Sequence, residues 1–165
     1  MILYVLRHAI ARERTDWKGA DADRPLTEKG RKKMKEAAEG MRRLGVEFNW
    51  ILTSPYRRAY DTAHIVAKTY RAQKRLKLSR SLTPDADPKS LIRRLALDFR
   101  SWETLLLVGH EPYLSQLVSV LIAGQPVALD FKKGGLCQLQ AAALTYGRCA
   151  TLEAWYPPKA LRKIA

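Results

Sequence analysis

Arg7-His8, Thr53-Ser54-Pro55-Tyr56-Arg57-Arg58 and Gly109-His110-Glu111-Pro112 bring two of the chain's three histidines and a group of arginines into three short segments. Neutral imidazole is a good nucleophile toward phosphorus. Guanidinium groups bind phosphate oxygens bidentately and offset the charge of an in-line transfer. A second histidine can donate a further hydrogen bond or carry positive charge. The chemistry that suits this set is phosphoryl transfer. It requires no metal and implies no cofactor, and the sequence offers no carboxylate cluster to hold a metal ion.

The three segments can act together only if the fold brings them to one place, and the hydropathy pattern predicts that it does. Ile2 to Leu6 is a short, β-rich, continuously apolar run, as expected of a strand buried on both faces of a sheet. Trp50 to Leu52 and Thr104 to Val108 resemble it. Helical patterns lie between. Thr27 can cap a helix in which Met34, Ala37, Ala38, Met41 and Leu44 recur at helical spacing and which ends at Gly45. Further helices are predicted over about 59–70, 88–99 and 113–122. Leu136 to Leu144 and Cys149 to Tyr156 flank Tyr146-Gly147 as an antiparallel hairpin. Strands alternating with helices indicate an α/β fold: one three-layer domain over residues 1–165, with a mostly parallel sheet, an antiparallel edge and helices on both faces. Ligands of such sheets bind at the carboxyl ends of the strands, where all three segments fall. Ile10 to Pro25 is the longest connection without predicted structure, and segments of that length are often functional.

The chain has 165 residues, 47% hydrophobic and 28% charged, which is the profile of a folded soluble domain and excludes a disordered or fibrous one. No apolar run is long enough to span a bilayer, and no basic leader precedes Ile2, so neither a membrane anchor nor a signal peptide is visible and the cytoplasm is the expected location. Cys137 and Cys149 lie in predicted strands without zinc-site spacing and are read as buried reduced thiols. Neither is followed six residues later by arginine, which excludes cysteine phosphatase chemistry. The 30 Lys plus Arg against 16 Asp plus Glu give a formal charge of +14, a field that attracts an anionic partner. Nucleic acid is one such partner, but no nucleic-acid-binding signature accompanies the charge.

These residues carry a resemblance to the histidine phosphatase superfamily (phosphoglycerate mutase-like). Leu6-Arg7-His8 resembles its first signature, Ser54 to Ala63 its Ser-Pro-x-x-Arg-Ala-x-x-Thr-Ala segment, and Val108 to Pro112 its second-histidine segment. In length and in Arg24 to Gly30 the sequence is similar to the small SixA-type phosphohistidine phosphatases. The resemblance implies a phosphoglycerate mutase-like fold and a phosphatase that works without metal. His8 becomes phosphorylated, Arg7 and Arg58 bind the phosphoryl group, and His110 is the partner histidine. Arg57 and Arg24 are further substrate-binding candidates; Arg24 either reaches the phosphate or ties down its own loop. Glu111 either orients His110 or caps the helix that follows. His64 matches no motif position and is expected to be exposed.

Larger members of the family supply a mid-chain glutamate that protonates the leaving oxygen. Here that region reads Leu82-Thr83-Pro84-Asp85-Ala86-Asp87-Pro88, leaving Asp85, Asp87 or no residue as the general acid. An alkoxide needs an acid to leave. Imidazole, whose conjugate acid has a pKa of about 6.5, needs little help. The expected substrate is therefore a phosphohistidine protein, with a small or polymeric phosphate such as a sugar phosphate, nucleotide or polyphosphate as the alternative, and a binding module as the alternative outside enzymes. No long insertion after the first or second strand could close over a small metabolite. The favoured oligomeric state is a monomer.

Overall fold

The computed structural model describes residues 1–97 and 103–165. Its strands and helices are β1 (Ile2–Arg7), α1 (Glu28–Arg43), β2 (Trp50–Thr53), α2 (Arg57–Thr69), β3 (Leu76–Leu78), α3 (Pro88–Leu97), β4 (Thr104–Gly109), α4 (Tyr113–Ala123), β5 (Leu136–Ala141), β6 (Ala150–Tyr156) and α5 (Pro158–Ile164). The six strands form one sheet in the order β3-β2-β4-β1-β5-β6. β1 pairs parallel with β4, as β2 does with both β4 and β3. β5 lies antiparallel between β1 and β6. The expected fold class, α/β with an antiparallel edge, is the one observed.

Alternate residues of the central strands feed two cores. Tyr4, Leu6, Ile51, Leu106 and Val108 pack in one core with residues of α1, α2 and α5. Leu3, Val5, Leu52, Leu105 and Leu107 pack in the other with residues of α3 and α4. Both faces of these strands are buried, which explains why their sequences read as unbroken apolar runs.

Local signals fix the helix ends. The Thr27 hydroxyl accepts from the Gly30 N–H at 3.0 Å, capping α1. Gly45, at φ 73°, stands in the left-handed conformation two residues beyond it. α3 begins at Pro88 as expected, while the predicted end at Phe99 lies outside the described residues.

Two elements carry no strong sequence signal. β3 is three residues long, too short to show a period, and forms because Leu76 and Leu78 extend the parallel ladder from Ile51 and Thr53. α5 is a seven-residue, strongly basic helix with one fully buried residue, Leu161. It docks on α1 across Gly40, where a Cβ would stand 1.9 Å from the Leu161 carbonyl oxygen. A Gly40→Ala variant is therefore expected to lose about 1–3 kcal/mol of stability. Urea unfolding would show this as a lower midpoint at unchanged slope, and an unchanged midpoint would mean that α5 contributes nothing to the fold.

Candidate active site

The hydrogen-bond ladder of the sheet continues past the strands. The His8 N–H donates to the Gly109 carbonyl at 3.0 Å, and the Ser54 N–H to the Val108 carbonyl at 3.0 Å. The residues following β1, β2 and β4 are thereby held side by side at one edge. The His8 and His110 rings lie with centroids 5.1 Å apart, tilted by 56°. Tyr56 meets His110 edge-on, with centroids 5.3 Å apart. Arg7 ends β1, and Arg58 is the second residue of α2, with its side chain buried. The four expected catalytic residues thus belong to three segments that converge on this edge.

Hydrogen bonds set the state of each ring. The His8 Nδ1–H donates to the Ala9 carbonyl at 2.8 Å, because a carbonyl can only accept. The lone pair is therefore on Nε2, the atom available as nucleophile. The Ser54 hydroxyl accepts from the Tyr56 N–H at 3.3 Å and lies 2.9 Å from His110 Nε2. Donation of the hydroxyl hydrogen to Nε2 would place the His110 proton on Nδ1. Buried Nδ1 of His110, Nε of Arg7 and Nε of Arg58 lack a partner among the described residues. Buried donors without acceptors are costly, and a phosphoryl group would bring the oxygens that these three can bind.

Burial also sets the charges. It pushes the His8 imidazole well below the usual histidine range, and the cations Arg58 and Arg7 push it further. Burial and then Arg58 push His110 down to about 3. Both rings are neutral at physiological pH while Arg7 and Arg58 remain cations. The site thus sets two uncharged imidazoles among guanidinium cations.

Three positioning residues were not assigned roles from the sequence. The Thr62 hydroxyl donates to the Arg58 carbonyl at 2.7 Å and accepts from the Ala9 N–H at 3.0 Å, tying the loop after His8 to the first turn of α2. Ser54 holds the His110 ring through its 2.9 Å contact with Nε2. Asp21 lies on a short 3-10 turn inside the long connection after β1. Its backbone carbonyl accepts from Arg58 Nη1 at 2.8 Å, and its carboxylate accepts from Arg58 Nη2 at 3.0 Å and Arg24 Nε at 2.9 Å. Arg14 Nη1 stands 3.0 Å from the same carboxylate. Burial raises the Asp21 pKa, but Arg58 and Arg24 outweigh it and hold the carboxyl below its usual range. Thr62 and Ser54 occupy the Thr and Ser of the second motif, which was their signal. Asp21 had none beyond its place in the longest connection.

The remaining candidates are placed as follows. Arg24 donates to Asp21 and, through Nη1, to the Arg12 carbonyl at 2.6 Å, so it ties down its own loop. Arg57 is exposed, with Nε 4.0 Å from the Asp61 carboxylate. Glu111 accepts from the Ser115 N–H at 3.1 Å and from its hydroxyl at 2.5 Å, the helix-capping alternative. Asp87 is exposed and accepts from the Lys89 N–H at 2.9 Å at the start of α3, and Asp85 is exposed beside it. His64 is exposed and stacks on Tyr60. Cys137 and Cys149 are free thiols. The first is buried as expected, but the second is only half-buried, because it sits in the turn before β6 and not within the strand.

A buried histidine at the end of the first strand of a mixed α/β sheet, faced by a second histidine and two buried or half-buried arginines, defines a phosphoryl-transfer class of site. Comparison with known proteins agrees. A family model described as histidine phosphatase superfamily, branch 1, matches residues 3–80, and the chain belongs to that superfamily. It is 36% identical over 149 residues to an uncharacterized protein of Picosynechococcus sp., covering 87% of each. Its fold matches the protein histidine phosphatase SixA complexed with tungstate, with a TM-score of 0.85 and 24% identity over 98% of this chain and 99% of that one. It also matches a mycobacterial glucosyl-3-phosphoglycerate phosphatase complexed with inorganic phosphate, with a TM-score of 0.72 and 19% identity over 98% of each chain.

Thr62→Val keeps the side-chain shape but leaves the Ala9 N–H without an acceptor. It is expected to cost about 1–3 kcal/mol in stability and to lower kcat/KM; a variant indistinguishable from wild type in both would remove Thr62 from the site. Because His8 and His110 are neutral when folded and gain a proton more easily when unfolded, stability should fall as pH drops below about 6.5. For the same reason the enzyme should contribute no acidic limb to kcat/KM near that value. Because phosphoryl groups themselves titrate near pH ~6, the check is a limb that stays at the ordinary histidine pKa across substrates of different phosphoryl pKa, which would mean that the rings are not desolvated.

Proposed function

We propose that this histidine phosphatase dephosphorylates a phosphohistidine side chain of a protein, by way of a phosphorylated His8 and without a metal ion. His8 Nε2 attacks the phosphorus in line: the Nε2–P bond forms as the P–N bond to the substrate imidazole breaks, and the P–N electron pair goes to that ring. The ring, already protonated on its other nitrogen, leaves as neutral imidazole, while His8, keeping its Nδ1–H, becomes the phosphorylated cation. Water then attacks the phosphorus, the Nε2–P bond breaks, and inorganic phosphate departs with His8 restored. Arg7 and Arg58 bind the equatorial oxygens through the transfer, and the His110 Nδ1–H donates a further hydrogen bond. Arg24, whose charge acts on His110 while its side chain ties down its loop, and the exposed Arg57 have a lesser part in this reading.

The observation that carries the choice of substrate is the state of the carboxylates near the two histidines. Asp21 is held ionised among Arg58, Arg24 and Arg14. Glu111 is spent on capping α4. Asp21 has no proton to give and both Glu111 oxygens are engaged by Ser115, so neither is free to protonate a leaving alkoxide. An imidazole leaving group, with a conjugate acid pKa of about 6.5, makes no such demand. The reading includes a monomeric enzyme, since one chain supplies every site residue, and a cytoplasmic one. No helix among the described residues is long and apolar enough to cross a membrane.

Phosphate release from a phosphohistidine peptide and from an alkyl phosphate, measured in the presence of a metal chelator, tests the proposal. The expected result is faster turnover of the peptide, a phosphoenzyme that is stable in base and labile in acid, and loss of both with His8→Ala. Faster turnover of the alkyl phosphate would replace the protein substrate with a small phosphate ester. Activity retained by His8→Ala would refute the nucleophile assignment.

A further inference from the structure

Against the two residues that follow His8 lies a concavity that the proposed reaction does not use. It is a cleft of about 180 Å³ between α1, α5 and the turn preceding β5. Met34 and Ala37 give it an apolar floor, and four cations surround it: Lys33, Lys133, Lys159 and Arg162. Two acids face it from the same elements and their neighbours. Glu36 stands 3.8 Å from Arg162, and Glu13 stands 3.6 Å from Lys133. Lys33 and Lys159 make no ion pair among the described residues, so the cleft keeps a net positive charge.

The cleft shares a wall with the nucleophile. Ala9 and Ile10, the two residues after His8, line it. So does Gly134, whose N–H donates to both the Arg7 and His8 carbonyls, at 3.1 and 3.2 Å. Arg7 Nη1 in turn donates to the Phe131 carbonyl at 2.6 Å, in the segment that leads into the same turn. Whatever occupies the cleft is therefore held in fixed relation to His8.

We propose that this cleft is a second anion site, which takes a Glu or Asp side chain of the substrate protein close in sequence to its phosphohistidine. The proposal rests on the protein-phosphohistidine reading above. An apolar floor under a ring of cations fits the methylenes of an acidic side chain below its carboxylate, and the lysine stems extend that floor. An extended segment advances about 3.3–3.6 Å per residue. A carboxylate about two to four residues from the phosphohistidine then reaches about 7–14 Å from it. This suits a cleft that begins at the residue after the nucleophile. The site supplies specificity for acidic sequence context without taking part in the chemistry.

Two phosphohistidine peptides, identical except that flanking glutamates in one are glutamines in the other, test this by their kcat/KM values. Wild type should prefer the glutamate peptide by about tenfold, as expected for one or two partly desolvated ion pairs. The double variant Lys33→Met, Lys159→Met keeps the side-chain stems and should abolish the preference. Lys33→Glu, Lys159→Glu should reverse it. Both variants should turn over phosphoramidate, which is too small to reach the cleft, at the wild-type rate. Equal turnover of the two peptides by wild type, or a preference that survives in the variants, would overturn the proposal and leave the phosphohistidine reading intact. Failure of wild type to act on either peptide while it hydrolyses an alkyl phosphate would instead overturn that reading, and the cleft's assignment with it. Stronger inhibition by a short RNA duplex than by the unphosphorylated glutamate peptide, lost in the same variants, would reassign the cleft to nucleic acid and also overturn the proposal.

Discussion

The parallel pairing of β1 with β4 is the constraint on which the site depends. Its register sets Arg7 opposite Gly109, so the next rung of the ladder runs from the His8 N–H to the Gly109 carbonyl and His110 follows at once. Strand side chains alternate between faces, and a slip of one residue would exchange the two cores and separate the histidines. The same pairing is held by the burial of Leu3, Val5, Leu105 and Leu107 on one face and of Leu6, Leu106 and Val108 on the other. The energy that closes the hydrophobic cores is thus the energy that aligns the reacting groups.

Placing two imidazoles in that position among guanidinium groups solves an electrostatic problem. A histidine nucleophile must be neutral and must present a lone pair. Burial and neighbouring cations make protonation unfavourable, and the Ala9 carbonyl selects the tautomer. No general base is required, because nothing has to be removed from Nε2 before it attacks. In the proposed reaction the cations that would hold the phosphoryl oxygens, Arg7 and Arg58, also help to keep His8 unprotonated. Asp21 limits the excess of positive charge around Arg58 and fixes its direction, and this joins the long connection after β1 to the site.

The +14 charge has an uneven distribution that bears on partners. α4 contains no charged residue and is largely buried, whereas α1 and α5 present Lys and Arg along much of their exposed length. Part of this charge is compensated locally, as in the Arg42–Glu39 and Arg31–Asp61 pairs. Of the uncompensated part, Lys33 and Lys159 line the cleft that Ala9 and Ile10 also line. A field arranged in this way raises the local concentration of an anionic partner near the pocket and falls off with salt.

The sequence by itself determined the fold class and the nature of the chemistry. Hydropathy runs at 2–6, 50–52 and 104–108 located the three central strands. The rule that ligands meet the carboxyl ends of such strands then gathered Arg7, His8, Arg58 and His110 without coordinates. These features are local and periodic, so a linear reading recovers them. β3 and α5 escaped it because each is stabilised by what it docks against, the edge of β2 and Gly40 of α1, and not by a pattern of its own. The alternatives at Glu111 and Arg24 were left open for the same reason, since a carboxylate or guanidinium takes its partner from three-dimensional neighbours. Asp21 is separated from Arg58 by 37 residues, and Thr62 from Ala9 by 53. The tautomers, the charge states and the ties between distant segments were decided only when tertiary packing brought those groups within hydrogen-bond reach and removed the water around them.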